Sequence, residues 1–555
     1  MPAIEVYPER LSRFLGVEVG LKQLINDLPW LATDIEDVGE NVVKIEYNPN
    51  RPDFSSHPGI ARAYAGFLEI KLGYPQVDVA EPRIEFYFDE ELKNIRGVLC
   101  SAVVRNVQLS EDDLKEIIAI QEVLHQGVGR NRRKVSIGIH DLDKIKPPVY
   151  YVAADPDKTS FKPLGMDRAM TLSQILNEVD KGVEYGHIIR SFNKYPLIVD
   201  STGEVLSFPP IINSELTRLT LETRNLFMDV TALDEYYASR ALNILLYALN
   251  DMGGSIEAVK IIYQDGSVKT YPDFKPREMS VEADYVNSLL GESLSNTEIY
   301  RSLLKCRFSV KDDKGVFKVS IPPYRIDIMH KIDLVEEVAI GYGLWRLTPT
   351  YPKSVTIGSK HPETILQDRV RMIMVGLGYT EVFNFIITSE EKNYRMVRRP
   401  VANRVTLANS SSTELTMLRD SLLPCLIWNL SVSRHEKYPQ KIFETGPVVK
   451  TGGPEGFSIK LSVSGVSAHS SASFSEAKAV VLSLLNSLGA ENPSLEKSDD
   501  PLFMFGRAAS VIYNDKPIGV LGEIHPEVLE LNGLENPVAG FELDLDPFLS
   551  KYFRS

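Results

Sequence analysis

Residues 324–338 read Tyr324-Arg325-Ile326-Asp327-Ile328-Met329-His330-Lys331-Ile332-Asp333-Leu334-Val335-Glu336-Glu337-Val338. On a helix Asp333, Glu336 and Glu337 fall at i, i+3 and i+4 and share one face about 100° wide, while Leu334, Val335, Val338 and Tyr342 take the other. Asp327, just upstream, can fold back onto the acidic face. Two carboxylates about 5 Å apart repel by roughly 3 kcal/mol at an effective dielectric of about 20, and far less in water. A partly covered acidic face therefore needs a cation, and all-oxygen donors suit Mg2+ or Ca2+ rather than zinc. The alternative is that acids in a first helical turn complement the helix dipole and stay solvated. Spacing alone leaves both open.

Outward from this stretch the chain divides into four blocks. Residues 269–350 contain it, with a helix predicted over 296–305 and a hairpin around Lys314-Gly315. A proline-bearing linker at 349–362 leads to the last block, 351–555. That block opens with a helix over 364–376, carries strand patterns at 381–388, 441–444, 459–465 and 508–513, and has a further helix over 476–488. Upstream, residues 86–268 show short strands at 98–104, 135–140 and 197–200 and close with a helix over 231–252. This block is α/β or α+β in character and large enough to hold a pocket. Residues 1–85 form a small N-terminal block. In it Ile60, Tyr64, Phe67 and Leu68 share one face of a helix starting near His57-Pro58, directly after the stiff turn Asn48-Pro49-Asn50-Arg51-Pro52-Asp53. The fold class is thus multidomain α+β.

Composition narrows the function. A length of 555 residues fits three or four domains. With 25% charged residues, 35 Gly and 33 Pro, the chain is neither collagen-like nor low-complexity. The net charge of −14 excludes a chain that grips nucleic acid by bulk charge. A polyanion would have to meet local runs such as Arg130-Asn131-Arg132-Arg133-Lys134 or Arg395-Met396-Val397-Arg398-Arg399, or a partner subunit. Cys100, Cys306 and Cys425 are too far apart in sequence for a zinc ribbon or a disulfide framework. No signal-peptide pattern and no stretch of about eighteen apolar residues is visible, so a soluble cytoplasmic protein with no membrane span is expected.

A second polar constellation lies in the 86–268 block. Gly138-Ile139-His140-Asp141 ends an alternating strand, a common location for a site in an α/β layer. Further on come Pro209-Pro210-Ile211-Ile212-Asn213-Ser214 and Asn225-Leu226-Phe227-Met228-Asp229-Val230-Thr231, where Asp229 and Thr231 point to the same side of a strand. These groups can hydrogen-bond a small polar ligand or position a water. The structural alternative is a local turn at His140-Asp141 and a helix cap at Thr231. No nucleophile elbow or Ser-His-Asp order is present.

Several ordered motifs together resemble the β subunits of phenylalanyl-tRNA synthetases, in their shorter archaeal and eukaryotic form. They are Asn50-Arg51-Pro52-Asp53 with Gly59-Ile60-Ala61-Arg62, Pro209 to Ser214, Tyr324-Arg325-x-Asp327 with Asp333-Leu334-x-Glu336-Glu337, Leu418-Arg419-x-Ser421-Leu422-Leu423-Pro424, and Gly519-x-Leu521-Gly522-Glu523-Ile524-His525-Pro526.

The resemblance implies an (αβ)2 heterotetramer that attaches phenylalanine to tRNA(Phe) with ATP, the aminoacylation site lying in the α subunit. It implies Mg2+ at Asp327, Asp333, Glu336 and Glu337. It implies an editing module at 86–268 that hydrolyses Tyr-tRNA(Phe), with His140, Asn213, Ser214, Asp229 and Thr231 as pocket candidates. Residues 269–350 would be a small winged-helix-like domain. Residues 351–555 would be a class II synthetase-like antiparallel sheet that has lost its chemistry, since Gly506-Arg507 lacks a preceding G-x-G and Arg419 pairs only locally. Relative to the longer bacterial form, a tRNA-binding barrel and an anticodon-binding domain are expected to be missing. Two competing readings are an RNA-binding or assembly scaffold without catalysis and an independent Mg2+-dependent hydrolase. The net charge leans towards a scaffold beside a basic partner, and the long central block with its polar cluster towards the editing enzyme, the reading adopted. The hydrolase is disfavoured because its acids sit on a small domain without a nearby base or nucleophile.

Overall fold

A computed structural model describes residues 2–351 and 356–551. The chain folds as two units, 1–351 and 352–555. Part of the expected linker, residues 352–355, lies outside the described residues.

The first unit begins with a three-stranded antiparallel sheet. Val43–Tyr47 lies at its centre between Ala3–Val6 and Thr33–Val38. The helix His57–Phe67 starts where expected, with the Ser56 hydroxyl accepting from the Gly59 amide at 3.3 Å. Ile45, Tyr47, Ile60 and Tyr64 are buried together with Leu11 and Leu24.

A ten-stranded sheet follows. From one edge its strands are Ile212–Asn213, Val205–Phe208, Tyr195–Val199, Val149–Ala154, Val79–Phe88, Ser255–Tyr263, Val98–Arg105, Leu226–Ala232 and Val135–Asp141, with Val268–Tyr271 added to Ser255–Tyr263. Only Val79–Phe88 pairs in parallel, with both neighbours; every other ladder is antiparallel. The block is therefore α+β, and its polar cluster does not sit at the carboxyl edge of a parallel layer. Two expected boundaries need correction. The division between 85 and 86 falls inside the strand Val79–Phe88, and that between 268 and 269 falls inside Val268–Tyr271. Hydrogen-bonded strands are cut by neither a turn residue nor a change in composition, which is what the sequence offered. The closing helix runs Glu235–Asp251 rather than from 231, because Thr231 belongs to the strand Leu226–Ala232 and Asp234 supplies the cap. That helix buries Ala241 through Leu249 on nearly all sides, as a core helix does.

The remainder of the unit is a three-stranded antiparallel sheet with three helices. Val316–Ile321 lies between Arg277–Glu282 and Ser309–Asp313, and the helices are Ala283–Leu290, Asn296–Lys305 and Lys331–Tyr342. The helix Asn296–Lys305 and the turn at Lys314-Gly315 are as read from the sequence.

The second unit is built on a seven-stranded sheet ordered Thr380–Glu381, Gln440–Thr451, Phe457–Ala468, Val538–Asp544, Lys516–Ile524, Phe503–Tyr513 and Ser494–Lys497, antiparallel except for the first pair. Helices Pro362–Gly376 and Phe474–Ser487 bury Val370, Met374, Val481 and Leu484 with Val463 and Phe541, while Leu423–Val432 packs with Val466 and Val538. The strand expected over 381–388 is two short bridges, Thr380–Glu381 and Ile387–Thr388. Between them the alternating residues find no continuous partner, and Phe383 and Phe385 stand exposed.

Candidate functional sites

The polar cluster of the ten-stranded sheet lies on two adjacent strands. In the ladder between Val135–Asp141 and Leu226–Ala232, Phe227 faces His140 and Asp229 faces Gly138. The pleat puts His140, Asp229 and Thr231 on one face. Asp229 Oδ2 lies 2.8 Å from His140 Nε2, and Thr217 Oγ1 lies 2.7 Å from Nδ1. A carboxylate only accepts, so Nε2 donates to it. The Thr217 hydroxyl satisfies the other nitrogen in either protonation state. Gly138 makes the pair possible, because a Cβ there would stand 2.0 Å from Asp229 Oδ2 and 2.7 Å from His140 Nε2.

Thr231 is not free to meet a ligand. Arg96, 1% exposed, donates through Nε to its hydroxyl at 2.9 Å and through Nη2 to its carbonyl at 2.8 Å. Burial brings the Arg96 guanidinium down to about 10 despite nearby Tyr151 and Asp229. Of the two alternatives from the sequence, the local turn holds only at Asp141, whose side chain caps Leu142–Lys144, and the helix cap does not hold. His140 lies inside a strand, not in a turn, and Thr231 caps nothing.

Asn213 sits half-buried on the edge strand, where Nδ2 donates to the Ile139 carbonyl at 3.3 Å and Oδ1 accepts from Ser207 at 3.0 Å. Ser214 caps the short turn Glu215–Thr217, its hydroxyl accepting from the Leu216 amide. That turn carries Thr217, so Ser214 reaches the cluster through the backbone. His140, Asp229 and Thr231 are at most 1% exposed, whereas Asn213 reaches solvent. Thr217 and Arg96 were missed by sequence reasoning. Thr217 follows the Pro209–Ser214 motif by three residues, a signal that was available; Arg96 carried none.

The acidic motif folds as a helix N-terminus, with Asp333 closing a capping box by accepting from the Met329 and His330 amides at 2.7 Å each. Arg325 is buried and grips two of the four acids. Its Nε lies 2.9 Å from Asp327 Oδ1, its Nη2 2.6 Å from Asp327 Oδ2, and its Nη1 3.1 Å from Glu337 Oε2. Burial would raise the Asp327 carboxyl, but the guanidinium holds it below the usual range. Glu337 thus turns inward while Glu336 stays exposed. The Glu336 carboxyl is raised, first by desolvation and then by Glu337, Asp333 and Asp327.

Arg51, Asp53, Tyr324, Arg325 and Glu337 line one small cavity, so the Asn50–Asp53 motif and the acidic motif meet there. Arg51 pairs with Asp53 at 2.8 Å and stacks on Phe54. The donor set is all carboxylate, the oxygen chemistry that a hard divalent cation takes, but Arg325 is bonded to two of the four acids and Asp333 to backbone amides. The carboxylates do not converge, however. Among the described residues no three His, Cys, Asp or Glu side chains stand together as a metal cage, and here Arg325 engages Asp327 and Glu337.

The second expected phosphate-binding run is committed to acids, whereas in the first only Arg132 is, and Arg130 and Arg133 stay exposed. Arg132 is buried, donating to the Ile211 carbonyl and to Glu122, each at 2.8 Å. In the second unit Arg395 pairs with Glu390, Arg398 with Glu527 and Arg399 with Asp500. Arg419 was expected to pair locally, but it is 1% exposed and meets Glu444 at 2.6 Å on the strand Gln440–Thr451.

Three family profiles match in order: B3/4 domain over residues 94–247, tRNA synthetase B5 domain over 279–344, and phenylalanyl tRNA synthetase beta chain CLM domain over 347–545. The phenylalanine–tRNA ligase beta subunit of Archaeoglobus fulgidus is 42% identical over 551 residues, 99% of each chain. That of Methanococcoides burtonii is 40% identical over 549 residues, 98% of this chain and 100% of the relative. A crystal structure of an N-terminal fragment of the phenylalanyl-tRNA synthetase beta subunit from Pyrococcus horikoshii superposes with a TM-score of 0.60 at 40% identity, covering 61% of this chain and 99% of the fragment. With B3/4, B5 and CLM domains in one multidomain α+β chain, the protein belongs to the phenylalanine–tRNA ligase beta subunit family.

Proposed function

We propose that this chain is the β subunit of an (αβ)2 phenylalanine–tRNA ligase, in which the α subunit joins phenylalanine to tRNA(Phe) with ATP and this chain hydrolyses Tyr-tRNA(Phe). The near-full-length match to named β subunits carries the reading. Its physical logic is that an apolar pocket shaped for phenylalanine rejects an added hydroxyl poorly, so a second site that hydrogen-bonds the hydroxyl is needed. In this reading Asn213, at the solvent side, meets the tyrosyl group. His140, Asp229, Thr217 and Thr231 with Arg96 hold the polar floor beneath it, and Ser214 fixes the turn that carries Thr217. Residues up to 78 are the N-terminal domain, 79–271 the editing module, 272–350 the winged-helix-like domain, and 351–555 the inactive class II-like core. A cytoplasmic location follows from the activity, and among the described residues no helix is long and apolar enough to cross a membrane.

The assembled enzyme tests the editing assignment. Asn213→Ala should slow Tyr-tRNA(Phe) deacylation about tenfold or more with little change in melting temperature. His140→Ala should lower both. Unchanged deacylation in both variants removes the cluster from the reaction.

In this reading the acidic motif, Asp327, Asp333, Glu336 and Glu337, would hold Mg2+. The ion would supply positive charge to a helix end that Arg325 neutralises only in part. The raised Glu336 carboxyl supports this. Glu336→Gln, an exposed change, should abolish thermal stabilisation by Mg2+; a full Mg2+ response in that variant rules the site out.

A further inference from the structure

A cavity of about 600 Å3 in the first unit is lined by three cationic side chains, Arg62, Lys71 and Arg307, with Tyr74, Gln76 and Asn250 beside them. It is distinct from the His140 cluster, and no residue of the acidic helix lines it. Only one acid is present, Asp251, and its Oδ2 is taken by Arg62 at 2.6 Å and 2.9 Å. Arg62 is further fixed by stacking 4.4 Å from the Tyr324 ring. Lys71 is exposed.

Arg307 is the unusual member. It is 6% exposed, yet its Nε and Nη1 have no hydrogen-bond partner. A buried guanidinium with two unpaired nitrogens is costly, and native structures rarely leave one. Its backbone is also in the left-handed region, φ +66, directly after the helix Asn296–Lys305, at a position where glycine would serve without strain. Burial and the adjacent Arg62 push the guanidinium down, so a second arginine is a neighbour it would not choose on electrostatic grounds.

We propose that this cavity binds a phosphate group, with Arg307 and Lys71 as its ligands and the Arg62–Asp251 pair as its wall. A phosphate offers several acceptor oxygens and up to two negative charges, matching the two cations that Asp251 leaves unpaired. The volume suits a small phosphorylated molecule or one phosphodiester of an RNA backbone.

The test uses the full chain, titrated with inorganic phosphate at constant ionic strength against a chloride control. Binding is expected to be saturable and to weaken about tenfold in Arg307→Ala and in Lys71→Ala. The Lys71 variant changes an exposed side chain and keeps the test sound if Arg307→Ala misfolds. Competition then identifies the source. Displacement of phosphate by tRNA assigns the site to the RNA backbone, and phosphate binding that tRNA does not displace assigns it to a free phosphorylated ligand. No saturable binding beyond the chloride control, or equal binding in the wild type and the Lys71 variant, overturns the proposal.

Discussion

An alanine at position 138 has no space to enter. Its Cβ would stand 2.0 Å from a carboxylate oxygen of Asp229, which is 1% exposed and held by His140, so the side chain cannot simply swing away. Gly138→Ala should therefore cost about 1–3 kcal/mol in a denaturant titration, and a wild-type midpoint would show that the pair moves freely. Thr231→Val keeps the shape of the side chain but removes the hydroxyl that accepts from Arg96 Nε. A loss of about 1–3 kcal/mol is expected for the orphaned donor. These magnitudes place the cluster among groups that hold the fold as well as any ligand. His140 was legible as a polar residue in an alternating strand. Its partner Thr217, 77 residues away, was not.

At the scale of elements, the helix Glu235–Asp251 illustrates how a start signal can mislead by a turn. Thr231 and Asp234 are both acceptable caps in sequence, but β-sheet pairing of Leu226–Ala232 claims the first. Asp234→Ala should destabilise the unit by about 1 kcal/mol, read from a thermal melt; no effect would mean that tertiary packing alone sets the helix start. The basic loop after the helix Glu111–Gln126 likewise serves the fold. Glu122 is brought to about 2, first by its hydrogen bond to His125 and then by Arg132, against burial. Its folded value lies below the ordinary unfolded value of about 4.3, so the pair stabilises above that pH and the contribution fades as pH falls towards about 2. Glu122→Gln should thus be less stable than wild type at pH 7, by about 1 kcal/mol after solvent screening. The gap should close in acid. A gap that persists at low pH would assign the loss to shape rather than charge.

At the scale of the whole molecule, the second unit leaves large apolar side chains uncovered: Phe383, Phe385 and Phe505 are 88%, 78% and 78% exposed. Exposed aromatics of this size are the usual anchors of a protein interface. Phe385→Glu should weaken association with the α subunit about tenfold or more while leaving the melting temperature of the isolated chain unchanged; undiminished co-purification would place the interface elsewhere. By itself the sequence determined what depends on neighbours along the chain. The helices at 57–67, 296–305 and 331–342 follow from period and caps, and the hairpin at 314–315 follows from its turn. The acidic face of Asp333, Glu336 and Glu337 follows from helical spacing, and the family from ordered motifs. Tertiary structure alone decided which charges are spoken for. Arg325 turns Asp327 and Glu337 inward, Glu444 occupies Arg419, Arg96 occupies Thr231, and Arg307 keeps two unpaired nitrogens beside a basic cavity. The physical reason is reach. Periodicity and capping act over a few residues, whereas a buried charge is settled by whichever opposite group the fold brings within about 3 Å of it.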